Sequence, residues 1–237
     1  MAGRAPEQRI SVPAGVMRWE SVGFVHWAYP PDVVQRLLPP ELQVDTFEDR
    51  AWVGITPFVM SGVRPPGLPA VPLLSTFPET NVRTYVRTAG GVDGLWFFSL
   101  DTTRSAALLA RAAIGTPYCW AAMRVTRTTD EVVYTTARRR VPSDPARSRI
   151  GLTVGAPIAP TERDHWLTGR WRAFSRARGR LWCTPVEHEP WPLQHATAGL
   201  MDQELLAPAG LPAPAGDPLV HWSPGVSVRM GAPRSVG

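Results

Sequence analysis

FPETNVRTYVRTAGGVDGLWFFSLD, residues 77–101, reads as a β-hairpin whose two strands disagree in polarity. Side chains alternate along a strand, so Glu79, Asn81, Arg83, Tyr85 and Arg87 share one face, and Thr80, Val82, Thr84, Val86 and Thr88 the other. The second strand does not alternate: Leu95, Trp96, Phe97, Phe98 and Leu100 are apolar on both faces, as in a strand covered on both sides. Gly90-Gly91 supplies the turn. A two- or four-residue loop sets Trp96 beside Tyr85 and Phe98 beside Arg83, and an odd loop swaps the parity. In either register the polar row lies next to bulky apolar side chains. A pocket is predicted there, with Glu79, Asn81, Arg83, Tyr85 and Arg87 as its polar side and Trp96 and Phe98 as its apolar wall. The competing reading makes Glu79, Arg83 and Arg87 the charged outer face of an antiparallel sheet.

Working outward, turn residues cut the chain into short elements. Trp19 to Trp27 alternates like a strand, and Pro30-Pro31-Asp32 opens a short helix that Pro39-Pro40 stops. Leu42 to Phe47 and Ala51 to Met60 form a hairpin about Glu48-Asp49, followed by a proline-rich loop from Arg64 to Pro72. Thr102 to Ile114 reads as a helix, with Leu108, Leu109, Ala112 and Ala113 on its apolar side and Gly115 as its stop. Pro117 to Thr128 and Glu131 to Arg140 make a hairpin turning at Thr129-Asp130. Arg149 to Gly155 is a strand, and Pro160 to Leu167 a short helix capped by Thr161. Arg170 to Glu189 is a long hairpin turning near Arg178-Gly179, and Pro192 to Glu204 is amphipathic and fits a helix. Leu206 to Pro218 is a linker within the domain, after which Val220 to Met230 returns as strand around Pro224-Gly225. Many hairpins with a few short helices predict a β-rich α+β protein built as a closed or nearly closed antiparallel barrel. Residues 1–15 are expected to be a flexible lead-in, 16–231 a single domain and 232–237 a tail.

The composition supports one sizeable core: 237 residues, 44% hydrophobic, with ten Trp, while 26 Pro and 20 Gly favour many short elements. All 25 basic residues behind the net charge of +5 are arginine, and lysine is absent. This excludes a lysine Schiff base, covalently held pyridoxal phosphate and a P-loop lysine. Arginines concentrate at Arg138 to Arg140 and at Arg170, Arg172, Arg176, Arg178 and Arg180. The second set, with Trp171, Phe174 and Trp182 nearby, is compatible with nucleic acid, but no helix-turn-helix, zinc-finger or RNP pattern accompanies it, and a solvated strand face or hairpin tip explains it as well. Cys119 and Cys183 make no disulfide framework and are expected reduced. No signal-peptide core or membrane-length run is seen, so a soluble cytoplasmic protein is expected.

Individual motifs add little. No Gly-x-Ser-x-Gly elbow occurs. His188-Glu189 and His195 have the wrong spacing for zinc, with Pro190 and Pro192 between them, so no metal is expected. Gly90, Gly91 and Gly94 suit hairpin geometry better than phosphate binding, because no helix follows them directly, and no cofactor is implied. His26 and His221, each beside a Trp in a predicted strand, fit hydrogen-bonded histidines at the core edge or acid-base groups; His221 is carried forward as a ligand contact. Asp101 fits a helix cap as well as a site residue. Tyr118, in Gly115-Thr-Pro-Tyr-Cys-Trp120, fits a core tyrosine when taken alone.

The phrases HWAYPPDVVQRLLPPELQVDTFEDRAWVGITPF, FPETNVRTYV, GLWFFSLD, GTPYCWAAM and HWSPGVSV, in this order, resemble the YqjF-like family, a group of uncharacterised proteins in the acetoacetate decarboxylase-like superfamily. The resemblance runs from about residue 16 to 231. It implies a cone-shaped double β-barrel with an interior pocket, and frequent homo-oligomerisation. In acetoacetate decarboxylase a lysine forms the Schiff base. By resemblance Tyr118 stands where that lysine would be and cannot form an imine, while Glu79 resembles the superfamily's pocket glutamate. The expectation is therefore a small-molecule pocket for a carboxylic or carbonyl compound, in which Arg83 or Arg87 pairs with an anionic group. If it is an enzyme, Glu79 is the general base and Tyr118 the acid or oxyanion donor of a lyase, hydratase or isomerase that uses no imine. The alternatives are a non-catalytic ligand sensor or accessory subunit, and nucleic-acid binding through the 170–180 hairpin.

Overall fold

The computed structural model describes residues 5–72, 74–104, 108–139 and 146–236. Long strands β1 (Gly15–Tyr29), β4 (Arg50–Arg64), β5 (Phe77–Thr88), β6 (Asp93–Thr102) and β13 (Leu219–Met230) pair in the order β6-β5-β4-β1-β13 to make one wall. From this wall the sheet closes twice. On one side β7 (Tyr118–Arg127), β8 (Glu131–Arg138), β9 (Arg147–Pro157) and β12 (Gln194–Gln203) lead from β6 round to β13, giving a nine-stranded ring. On the other, β10 (Arg172–Ala177) and β11 (Arg180–His188) bridge the same two strands and give a seven-stranded ring.

Both end strands of the wall split their outer edges to make this possible. Leu95 and Trp96 of β6 pair with β10, and Leu100 to Thr102 pair with β7. In the same way His221 and Trp222 of β13 pair with β12, and Val228 to Met230 with β11. The double β-barrel expected from the resemblance is what the chain forms, and closure leaves the long strands without free edges.

Alternation along the wall sends each strand's two faces into different rings. Val25, Val53, Ile55 and Val82 pack with Tyr134, Ile150, Leu152 and Trp222 in the nine-stranded ring, which is filled. Phe24, Phe58, Met60 and Val186 face the seven-stranded ring. Short β2 (Leu42–Val44) and β3 (Thr46–Phe47) flank the wall, and β14 (Arg234–Val236) extends β11. The α-helices among the described residues are α1 (Pro31–Gln35), α2 (Leu108–Ile114) and α3 (Glu162–Thr168), the last with a capping box in which Thr161 and Asp164 satisfy each other's backbone N–H.

Two expectations need correction. The segment after Pro192 is not helical: β12 pairs with β9, and bulges at Gln194/Ala196 and Ala198/Leu200 interrupt the period-two pattern that would have marked a strand. Thr102 ends β6 instead of opening a helix. Ahead of β1, the buried Ile10 donates its N–H to Glu187 and its carbonyl accepts from Arg229, while Glu7 pairs with Arg172. The side chains of Leu108 and Leu109, and Arg140, lie outside the described residues. Among the described residues no helix is long and apolar enough to cross a membrane.

Candidate functional site

The site begins with the parity of the central hairpin. Thr88 N–H donates to Val92 O, so the turn holds the three residues 89–91, with Gly91 in the left-handed region at φ 78°. Odd parity sets Tyr85 against Leu95 and Arg83 against Phe97. A bulge then follows: Arg83 pairs with Phe97 but Val82 with Ser99, leaving Phe98 as the extra residue, and beyond it Asn81 meets Leu100. The β6 side chains beside the polar row are therefore Leu95, Phe97 and Leu100. Trp96 and Phe98, expected as the wall, point elsewhere: Trp96 packs with Leu42, Val86 and Phe174, and Phe98 against the core of the nine-stranded ring.

Inside the seven-stranded ring is a cavity of about 300 Å³. Glu79, Asn81, Arg83 and Thr56 form its polar floor, Tyr118 stands beside Glu79, and Phe24, Phe58, Phe97 and Trp191 are among its apolar walls. Glu79 Oε2, Asn81 Oδ1, Thr56 Oγ1 and Arg83 Nε are all buried with no hydrogen-bond partner among the described residues. Buried polar atoms are ordinarily paired, and these four stand together on one floor.

Electrostatics distinguish the groups. Burial, with a smaller contribution from the charge of Asp101, raises Glu79 to about 8. The Glu79 carboxylate and then burial hold the Tyr118 phenol well above its ordinary range, so it keeps its proton and remains a donor. Arg83 has no carboxylate at ion-pair distance among the described residues; its Nη2 donates to Leu167 O at 3.4 Å and its guanidinium lies 5.5 Å from the Phe24 ring centre.

His188, set aside above as a zinc ligand, also lines the cavity. Burial lowers it to about 4, so it is neutral, and its Nδ1 donates to Glu189 O at 2.6 Å, which leaves Nε2 as the acceptor. Sequence reasoning missed His188, Trp19, Phe24, Thr56 and Trp191 as cavity residues. Alternation signalled Phe24, on the face of β1 opposite Val25; His188 and Trp191 come from a strand end more than a hundred residues away and carried no local mark.

The rest of the predicted set does not line the cavity. Tyr85 is fully buried, its hydroxyl donating to Leu167 O at 2.5 Å and touching His26 Nε2 at 2.8 Å. Arg87 pairs with Asp45 at 2.8 Å and is 43% exposed, because the polar face of β5 continues past the end of the ring. His221 pairs with Asp164 at 3.2 Å beneath α3. Of the arginine hairpin, Arg170 is buried between Asp45 and Asp93 and stacked on Trp166 and Tyr85, Arg172 pairs with Asp93, and Arg176 with Glu41. Those three cations are thus committed within the protein. Among the described residues no group of three or more His, Cys, Asp or Glu is placed to hold a metal ion.

Comparison with known proteins follows the same lines. The chain is 34% identical over 230 residues to the uncharacterized protein YqjF of Bacillus subtilis (strain 168), covering 94% of each chain. The enduracididine biosynthesis enzyme MppR, complexed with pyruvate, superposes with a TM-score of 0.67 at 13% identity, over 98% of this chain and 93% of that one. An acetoacetate decarboxylase-like enzyme from Sphingomonas wittichii RW1 superposes with a TM-score of 0.66 at 15% identity, over 98% and 99% of the two chains. These structural likenesses establish an acetoacetate decarboxylase-like fold. The family model DUF2071, described as an uncharacterized conserved protein, matches residues 16–227, and the chain belongs to that family.

Proposed function

We propose that the seven-stranded ring binds a small carboxylic or carbonyl compound and catalyses non-covalent acid-base chemistry on it, of the lyase, hydratase or isomerase type. The observation that carries this reading is the unpaired polar floor: a carboxyl group, an amide oxygen, a hydroxyl and an arginine nitrogen, buried together without hydrogen-bond partners among the described residues. Arg83 suits an anionic group of the ligand, the carbonyl oxygen takes the Tyr118 hydroxyl, and ionised Glu79 removes the proton from the neighbouring carbon. The electron pair of that C–H bond becomes the new C=C bond, and the carbonyl π electrons move onto oxygen, where the phenol donates. Transfer of the phenol proton completes the enol; its return, with the proton on Glu79 delivered to the same or another carbon, gives exchange or isomerisation, and expulsion of a leaving group from the enol gives elimination.

A chain with no lysine forms no lysine imine. The MppR neighbour holds pyruvate, a keto acid, and this supports a ligand of the same general chemistry here. The test is calorimetric titration of keto, hydroxy and unsaturated acids, with solvent deuterium incorporation followed by proton NMR. Binding together with exchange lost in Glu79→Gln and Tyr118→Phe supports the enzyme. Binding without any exchange or turnover gives a ligand sensor, and no binding across the panel defeats the reading.

A further inference from the structure

Taking the cavity as the carboxylate- and carbonyl-binding site just proposed, two parallel rows of side chains restrict the shape of what fits. The first row is polar. Glu79 and Arg83 are four residues apart on β5, so their Cα atoms stand about 13 Å apart at ~3.3 Å per residue. The guanidinium does not fold back to close that gap. Leu167 O accepts from both Arg83 Nη2 and the Tyr85 hydroxyl, so the tip of Arg83 lies at the Tyr85 end, away from Glu79 and Tyr118.

The second row is aromatic and spans the same interval. Phe58, whose Cα pairs with that of Glu79, meets Trp19 edge-on at 5.8 Å. Trp19 stacks on Trp191 at 6.1 Å and 12°, Trp191 meets Phe24 edge-on at 5.1 Å, and Phe24 lies under Arg83. The row therefore begins beside the acid-base pair and ends beside the cation. A cavity of about 300 Å³ has the volume of about ten waters at ~30 Å³ each, and a three-carbon keto acid leaves most of it empty.

We propose that the substrate is an elongated, planar monocarboxylate, aryl or conjugated, with its carboxylate at Arg83 and its reacting carbonyl at the far end, against Glu79 and Tyr118. Its apolar body lies along the Phe58–Trp19–Trp191–Phe24 row. Keto acids with adjacent or nearly adjacent functional groups reach only one end at a time.

4-Acetylbenzoate, which holds a carboxylate and an enolisable ketone across one ring, is the probe. Titrations of the full chain compare it with pyruvate, acetoacetate and the uncharged 4-acetylbenzamide, and NMR follows deuterium entering the acetyl methyl group. The expected result is binding at least tenfold tighter than either short acid, with methyl exchange. Arg83→Met should abolish the preference for 4-acetylbenzoate over its amide, and Trp191→Phe or Phe24→Leu should weaken 4-acetylbenzoate by a larger factor than acetoacetate. The comparison on the unaltered protein stands even if a variant does not fold. Equal or tighter binding of pyruvate or acetoacetate, or an unchanged acid-over-amide preference in Arg83→Met, overturns this shape and leaves the acid-base reading intact. Failure of every acid to bind overturns both.

Discussion

Glu79 and Tyr118 lie on the two strands that flank the end of β6, where Leu100 pairs with Asn81 on one side and with Tyr118 on the other. Carboxyl and phenol are thus held by backbone ladders and not by loops, and the charge of Glu79 is the largest influence on the phenol. Removing the phenol's donor while keeping its ring is the direct test of its role. Tyr118→Phe should leave KM within a few-fold and lower kcat by about 10²–10³, the usual loss for one oxyanion donor. Steady-state kinetics on any substrate that the titrations identify decide it; a raised KM with kcat unchanged would assign Tyr118 to binding alone.

The pH profile should follow Glu79. Raised to about 8 by burial and by Asp101, it is mostly protonated at neutral pH, so base catalysis should climb about tenfold per pH unit below 8 and level off above. Glu79→Gln should remove the climb together with the activity. An activity that falls as pH rises through this range would make Glu79 the acid.

The same group makes a stability prediction of opposite sense. The folded state keeps a proton on Glu79 at pH values where the unfolded chain, at its ordinary 4.5, has released it. The stability contributed is full below 4.5 and is lost as pH rises through about 8. Glu79→Gln should therefore gain on the parent protein across that window, by on the order of 4 kcal/mol at the alkaline end. Urea unfolding at pH 5 and pH 9 measures the divergence, and parallel curves would show that the carboxyl is not buried.

Charges of similar appearance in the sequence should differ sharply in cost. Arg170→Met leaves Asp45 and Asp93 without their shared buried partner and removes a cation stacked on Trp166 and Tyr85; a loss of about 3 kcal/mol is expected. Arg87→Ala removes a half-exposed partner of Asp45 and should cost less than about 1 kcal/mol, with ligand binding unchanged. A binding defect in Arg87→Ala would return that residue to the site.

The sequence showed the barrel more readily than it showed the site. Turn residues at Glu48-Asp49, Gly90-Gly91, Thr129-Asp130 and Arg178-Gly179 each joined two strands that the structure pairs, because local backbone conformation decides a hairpin. Which β6 side chains met the polar row depended on loop length and on a bulge at Phe98, and neither leaves a mark in residue type. Alternation placed Glu79, Asn81 and Arg83 together correctly. It could not tell where the ring ended, so Tyr85 and Arg87 were carried along the same face beyond the cavity. His188 and Trp191 enter from β11 and the turn after it, through a closure with β13 that no local pattern encodes.

Two glycines in the same conformation should separate backbone cost from site geometry. Gly91, φ 78°, has nothing within 4 Å of where a Cβ would stand, whereas at Gly115, φ 72°, a Cβ would lie 2.0 Å from Arg176 O. Both alanine variants carry the left-handed penalty of about 1–2 kcal/mol. Only Gly115→Ala must also push β10 away from the turn that ends α2 and leads into Tyr118, three residues on. Gly91→Ala should therefore lose about 1 kcal/mol and keep full activity, while Gly115→Ala should lose more than that and lower kcat as Tyr118 moves. Equal stability losses with equal activities would mean that the approach of β10 to this turn does not position the phenol.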